Sequence, residues 1–311
     1  MKKVLKKFGV LPLVILFMAF FTQIQNPTFF TTDNLTNVIR QISINGVLAI
    51  ATTLVILTGN IDLSLGSIIG LTSCIGCSVV LMTDSVLLGM LTAIVLGIVC
   101  GAINGGIVVK SEIHPFVVTL GTGMVFSGTA YILTDGAQVA GLPADFLQIG
   151  AGSLCGIPYL FWIMAAAFVL ISFVLNKTRF GLRLYEIGGR EEAVIASGIN
   201  AKLYKVLAFA AEGALVGVAG MMLASRTISG HASLGSGYHF QAIGAAVIGG
   251  VSLTGGRGKA SGVLCGVLIT GILNNSLNLM KVSSFWQDVA IGAVIVIAVV
   301  IDTLRSSQEQ R

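Results

Sequence analysis

Long apolar runs recur from one end of the chain to the other, and they constrain the fold more than any other feature. Of the 311 residues, 55% are hydrophobic and only 10% are charged. An average soluble domain has roughly 25% charged residues. A helix needs about 20 apolar residues to cross the hydrocarbon core of a bilayer, which is near the length of these runs. The sequence therefore predicts an all-α polytopic membrane protein.

The apolar runs predict about ten transmembrane helices in a single domain, residues 1–311. The first run follows the basic start MKKVLKK, and since no small-residue cleavage site comes after it, we interpret it as an uncleaved span. The eighth run is short. The runs cover roughly 8–25, 43–58, 65–82, 86–108, 116–133, 159–175, 204–224, 241–253, 261–279 and 285–302.

The basic residues indicate how these helices are oriented. Ten spans place both termini on one side, together with fifteen of the 18 Lys and Arg residues, whereas Arg40, Arg226 and Lys281 lie on the other side. Cytoplasmic loops carry an excess of Lys and Arg. We therefore predict that both termini are cytoplasmic. The basic net charge reflects this bias, so no nucleic-acid partner is predicted.

Residues 176–205 form a charged stretch between two apolar runs. The same bias places it in the cytoplasm, where we predict that it docks a soluble motor protein. Elsewhere, glycines recur at four-residue spacing within predicted helices, which puts them on one helix face and predicts close helix packing. These glycines are Gly97, Gly101 and Gly105 in one helix and Gly213 and Gly217 in another.

The sequence contains none of the motifs that would indicate an enzyme or a metal site. It has three His residues, no H-E-x-x-H and no G-x-S-x-G. The pair Gly258-Lys259 does not fit a phosphate-binding loop, because Leu253 and Ala260 stand where Gly and Ser or Thr are needed. Cys74 and Cys77 form a C-x-x-C without a second pair, which favours simple packing. We predict no catalytic residue, no metal and no bound ATP.

Polar residues in or beside the apolar runs are candidates for a translocation path. Each of them could equally hydrogen-bond a neighbouring helix. Glu212 lies inside a run, and an alternative function is a proton-coupled secondary carrier that uses it. The Gly-containing breaks 58–67 and 255–259 are either tight turns or matching interruptions of two related halves. The path candidates are Asn45, Asn60, Asp62, Ser64, Asn104, Glu212, Asn274 and Asn275.

Five stretches in a fixed order carry a resemblance to a known family. They are LTGNIDLSLGSIIGL, EIHPFVVTLGT, IGGREEAVIASGIN, GSGYHFQAIGAAVIGGVSLTGGRGK and GILNNSLNLMKVSSFWQD. Together they resemble the permease subunits of bacterial monosaccharide ABC importers of the ribose type, over nearly the whole chain. The stretches GLPADF and SSFWQD look more like the rhamnose and autoinducer-2 permeases.

The resemblance implies a fold related to the vitamin B12 importer class and a set of partners. These are a second permease copy or paralogue, two cytoplasmic ATPases that use ATP and Mg, and an extracytoplasmic sugar-binding protein. The permease itself is expected to bind no cofactor.

The resemblance also implies that residues 188–198 form a short coupling helix that enters a groove of the ATPase. Glycines would let the chain turn before this helix, acidic residues would suit its N-terminus, small residues would permit close docking, and Gly198 would end it. The implied coupling residues are Gly188, Gly189, Arg190, Glu191, Glu192, Ala193, Ala196, Ser197 and Gly198.

Overall fold

The described part of the chain is almost entirely helical. The computed structural model describes residues 11–111, 113–283 and 285–287, together with residues 289, 292, 293 and 296. The predicted tenth span, roughly 285–302, therefore lies largely outside the described residues. The elements are α1 (Leu11–Gln25), α2 (Thr32–Ile56), α3 (Leu65–Thr83), α4 (Val86–Ser111), α5 (Pro115–Thr134), α6 (Ala144–Ala151), β1 (Ser153–Leu154), β2 (Ile157–Pro158), α7 (Tyr159–Lys177), α8 (Arg179–Ala196), α9 (Ala201–Thr227), α10 (Tyr238–Ile248) and α11 (Ala260–Leu279).

Within the described residues, seven helices are long and apolar enough to cross a membrane: α2, α3, α4, α5, α7, α9 and α11. This confirms the prediction of an all-helical, multi-pass protein. Helix α2 begins well before the apolar run that predicted it, since the polar first turn at Thr32–Asn34 is also helical. Hydropathy marks where a helix becomes apolar, and a polar first turn with an acidic residue still suits a helix N-terminus.

Helix α2 lies at the centre of the described bundle. Its most apolar stretch is 83% buried, whereas the corresponding stretches of α4, α5 and α7 are only 28% buried. It packs against α7, α9, α10 and α11. The three more exposed helices therefore supply most of the apolar surface that faces lipid, and α2 supplies the interior.

Helices α4 and α9 meet along the two predicted rows of glycines. A Cβ on Gly97 would overlap the carbonyl oxygen of Gly213, and a Cβ on Gly213 would overlap that of Gly97. One turn further along, a Cβ on Gly101 would overlap the carbonyl oxygen of Phe209. The glycine spacing thus predicted a real seam, in which the two backbones touch because no side chain separates them.

The short eighth run belongs to a span that is only half helical. Helix α9 ends at Thr227, the following residue Ile228 has φ 63°, and the irregular segment 228–237 then runs back along α3. Gly230 packs against Ser73 of α3, and Gly235 packs against Gly66. The chain becomes helical again only in α10. We call residues 228–248 the broken span.

Candidate functional site

The charged stretch folds mainly as α8, an amphipathic helix with a bend. The Thr178 side chain accepts a hydrogen bond of 3.2 Å from the Gly181 amide and so caps the helix start. Arg190 has φ −158° and ψ 86°, which divides α8 into two helical pieces. The resemblance implied that Gly188 and Gly189 would let the chain turn before the second piece; both glycines are still helical, and the bend comes one residue later, at Arg190.

Position 188 requires glycine because two other backbone segments contact it closely. A Cβ at this position would overlap the Leu57 carbonyl oxygen and the Gly256 amide nitrogen. The Gly256 amide itself donates a hydrogen bond of 2.9 Å to the Leu57 carbonyl. The break after α2, the loop before α11 and α8 therefore meet at one point. We call Leu57, Gly59, Gly188, Gly255 and Gly256 the glycine junction.

A side chain of α8 reinforces the glycine junction. The Tyr185 hydroxyl donates a hydrogen bond of 3.0 Å to the Gly258 carbonyl oxygen. Burial raises the pKa of the Tyr185 hydroxyl, so it keeps its proton and stays a donor. The two Gly-containing breaks that the sequence singled out thus lie next to each other, and both contact the first piece of α8.

The second piece of α8 is held by one buried side chain and presents the rest outward. Val194 is buried with Ile187 and Ala201 in a small apolar cluster of its own. Gly198 has φ 77°, and its amide donates to the Ile195 carbonyl at 2.9 Å, which ends the helix as expected. The exposed residues of this piece and its ends are Gly189, Arg190, Glu192, Ala193, Ile195, Ala196, Ser197 and Gly198.

Ile195 is a surface residue that sequence reasoning missed. It is 54% exposed on a helix that otherwise presents small and charged residues. A signal was available, since Val194 and Ile195 are adjacent and one helix face cannot bury both. An exposed apolar side chain between Ala193 and Ala196 is the kind of contact that a protein partner covers.

The two glutamates of the coupling segment have different environments. The Glu191 carboxylate forms an ion pair of 2.7 Å with Lys205 in the first turns of α9. The Glu191 side chain is 38% exposed and the Lys205 side chain is 15% exposed. Glu192 is fully on the surface. Glu191 therefore ties the second piece of α8 to α9, whereas Glu192 is exposed on its surface.

Three of the path candidates form one buried network. Asn104 of α4 donates to the Ser64 hydroxyl at 2.7 Å and to an Asp62 carboxylate oxygen at 3.1 Å. The other Asp62 oxygen accepts the Ser64 amide at 2.6 Å. The break between α2 and α3 is thus folded into the protein against α4. This network holds the start of α3 in place.

The other path candidates also lie between helices. Asn45 donates to Gln241 at 3.0 Å, and Asn275 donates to Asn34 at 2.8 Å. Asn60 bonds its own turn at Thr58. Such bonds join neighbouring helices or fix a turn, which was the alternative interpretation of these residues.

Four path candidates keep buried side-chain oxygens without a hydrogen-bond partner within the described residues. They are the amide oxygens of Asn45, Asn104 and Asn274 and both carboxyl oxygens of Glu212, which is 1% exposed. Burying an unpaired carboxylate at this position would cost several kcal/mol or more. The protonated, neutral form of Glu212 therefore suits its buried position.

The comparisons with known proteins agree with this architecture. Residues 34–299 match the family described as branched-chain amino acid transport system / permease component. The ribose import permease protein RbsC of Bacillus subtilis is 42% identical over 98% of the chain and 95% of its own length. The corresponding protein of Haemophilus influenzae is 40% identical over 89% of the chain and 87% of its own length.

A more distant relative is named for the transport of a different sugar. The D-allose transport system permease protein AlsC of Escherichia coli is 32% identical over 96% of the chain and 92% of its own length. No solved structure matches the chain. The family match and the apolar helices make this a multi-pass protein of the inner membrane. The chain therefore belongs to the branched-chain amino acid transport system / permease component family, as the transport permease of an ABC importer and not as an enzyme.

Proposed function

We propose that this permease imports a monosaccharide, with ribose as the first candidate substrate. The observation that carries the proposal is the match to ribose import permeases along almost the whole chain. The allose relative is less similar, and it keeps other monosaccharides as secondary candidates. The stretches GLPADF and SSFWQD keep rhamnose and autoinducer-2 as further candidates.

We propose that the complete protein has about ten transmembrane helices, as in the vitamin B12 importer class. Seven helices qualify by length, and α1 is a shorter apolar helix at the start of the described chain. The broken span and the predicted run at 285–302 are the two further crossings. This arrangement supports cytoplasmic termini and a single domain over residues 1–311.

The partners that we propose are a second permease copy or paralogue, cytoplasmic ATPases and an extracytoplasmic sugar-binding protein. ATP and Mg would be used by the ATPases, and the chain itself would bind neither. The surface proposed to dock an ATPase is the second piece of α8, around Glu192 and Ile195. Its small neighbours, Ala193 and Ala196, would allow a close approach.

The glycine junction suggests how ATPase movement would reach the membrane helices. Closing of the two ATPases would displace α8, and the junction would pass this displacement to the α2–α3 break and to the loop before α11. The network of Asp62, Ser64 and Asn104 would carry it on to α4. Tightly packed backbones transmit such a shift because they cannot deform gradually.

Replacing Ile195 with Asp tests the docking surface. We expect uptake to fall by about tenfold or more, because a charge would have to be desolvated where an apolar side chain docks. The ATPase should also no longer copurify with the permease. The matched control is Leu154→Asp, because Leu154 is 52% exposed and lies on the opposite side of the membrane. Full uptake and normal copurification by the Ile195→Asp complex would contradict docking at this surface.

Uptake of labelled ribose distinguishes an ATP-driven importer from a proton-coupled carrier. The substitution Glu212→Gln adds a second test of the same alternative. Reconstituted with its ATPase and binding protein, the permease should take up ribose only with ATP, and unlabelled ribose should compete. Since Gln keeps the shape of a neutral Glu, uptake by Glu212→Gln should stay within about twofold of the unmodified protein. Uptake that needs a proton gradient and stops in this variant would favour the carrier instead.

A further inference from the structure

The irregular half of the broken span lies deep beside α3. Asn104 of α4 hydrogen-bonds Ser64, which lies just before α3. At ~1.5 Å per residue, Asn104 lies roughly 10 Å along the helix from the end of α4 at Ser111. The start of α3 is therefore recessed from the cytoplasmic end of α4. Gly235 packs against Gly66 at this recessed level. Segment 228–237 thus runs from the outer side to the middle of the protein as a series of turns, in which, for example, the Leu234 amide donates to the His231 carbonyl at 3.0 Å.

A cavity of about 230 Å³, with both polar and apolar lining, lies between this segment, α3 and α5. Helix α10 begins at the cavity without a side-chain cap, at Gly237 with φ 80°. The Nδ1 atom of His239 is buried and has no hydrogen-bond partner within the described residues. The polar residues that line the cavity are Ser67, Ser127, Tyr131, Ser233, Ser236 and His239.

These groups cannot face lipid at this depth. Ser233 and Ser236 are exposed in the single chain, and they lie on a non-helical backbone. Irregular backbone is tolerated inside a membrane only where protein covers it or where it lines a water-filled cavity. A span broken in this way is also a recurrent feature of transporter binding sites. The cavity therefore faces either water or a second permease.

The composition of the lining indicates the class of ligand. Five of its polar side chains are hydroxyls, which both donate and accept hydrogen bonds, and it includes no Asp, Glu, Lys or Arg. Such a surface suits a neutral molecule with several hydroxyl groups. The volume is smaller than the roughly 300–1,000 Å³ of a typical enclosed ligand site, as expected if each permease supplies one half.

We propose that this cavity is the part of the translocation path where the permease contacts the sugar. The inference rests on the proposed import of a monosaccharide, and it assigns the sugar contact to residues that are not among the path candidates from the sequence. The side chains of Asn45, Asn104 and Asn275, by contrast, hydrogen-bond neighbouring segments. Weak hydroxyl contacts suit a path, since the solute must also leave.

Cysteine labelling of the reconstituted importer tests the proposal. The variants Ser127→Cys and Ser233→Cys are made with Cys155→Asn and Cys265→Ser, because the other three cysteines are buried. Asn suits position 155, where φ is 53°. A membrane-impermeant, anionic thiol reagent should modify both variants. Ribose with its binding protein and ATP should slow this reaction, and modification should abolish uptake.

The matched control is Val125→Cys in the same background. Val125 is 63% exposed and lies two residues before Ser127, hence on nearly the opposite side of α5. Its reaction should be slower by about tenfold or more, because apolar surroundings suppress the reactive thiolate. Equal rates for Val125→Cys and both serine variants would overturn the water-filled cavity.

The two proposals fail in different ways. The import function fails if the unmodified protein shows no ATP-dependent uptake of any monosaccharide. The cavity proposal fails if uptake occurs but persists after complete modification of either serine variant. Since the two variants lie on separate segments, α5 and the broken span, loss of one of them through misfolding leaves the other to decide.

Discussion

Replacing Gly188 with Ala is expected to reduce uptake by about tenfold or more while ATP hydrolysis continues. The added methyl group would overlap the Leu57 carbonyl oxygen and the Gly256 amide, which are both backbone atoms. Overpacking of this kind costs about 1–3 kcal/mol even where side chains can move aside. Here either α8 must move away from the glycine junction, or the Leu57 and Gly256 backbones, which share a hydrogen bond, must be displaced. Uptake and ATPase activity of the same reconstituted complex provide the measurement.

The neighbouring residue supplies the control. A Cβ on Gly189 would find no atom within 4 Å, and Gly189 lies on the same helical piece. Ala favours helix over Gly by about 1 kcal/mol, so Gly189→Ala should fold at least as well as the unmodified protein. It should also retain uptake. If Gly188→Ala and Gly189→Ala transport equally well, the glycine junction does not transmit movement.

Replacing Gly101 with Leu is expected to prevent stable folding of the permease. Even the Cβ would overlap the Phe209 carbonyl oxygen, and the Leu side chain would force α4 away from α9 along the seam. These two helices share the most extensive contact in the described structure. The cost should reach or exceed the upper end of the roughly 1–3 kcal/mol range for overpacking. Thermal unfolding of the detergent-solubilised protein, followed by size-exclusion chromatography, should show little folded protein.

Gly106→Leu is the corresponding control on the same helix. Position 106 has no atom within 4 Å of a built Cβ, so the same apolar side chain can be accommodated. Both substitutions raise hydropathy equally and leave membrane insertion unchanged, which isolates packing as the cause of any difference. Similar unfolding temperatures for the two variants would show that the α4–α9 seam is not tightly packed.

The sequence predicted the features that depend on local chemistry. Apolar run length is set by bilayer thickness, so the helical multi-pass fold could be predicted without any contact map. Glycine spacing of four follows the helical repeat, and it located the seam at Gly97, Gly101 and Gly213 correctly. The end of α8 at Gly198 was predictable for a similar reason, because glycine readily adopts the positive φ of a helix C-terminus.

The sequence could not predict which distant segments meet. Gly188 followed by Gly189 suggested a turn, but glycine also serves where another backbone approaches closely, and only the position of Leu57 and Gly256 distinguishes the two roles. The exposed state of Ile195 depends likewise on Val194 filling the small apolar cluster with Ile187 and Ala201.

The broken span shows the same division between sequence and tertiary structure. By itself, the sequence determined an all-helical membrane protein with a charged stretch between two apolar spans, because hydropathy and charge act residue by residue. It registered residues 241–253 only as a short apolar run. Tertiary structure alone decided that segment 228–237 lies along α3 and brings Ser233 near Ser127. Polar residues in an irregular segment resemble an ordinary loop until packing against Gly66 and Ser73 places them within the bundle.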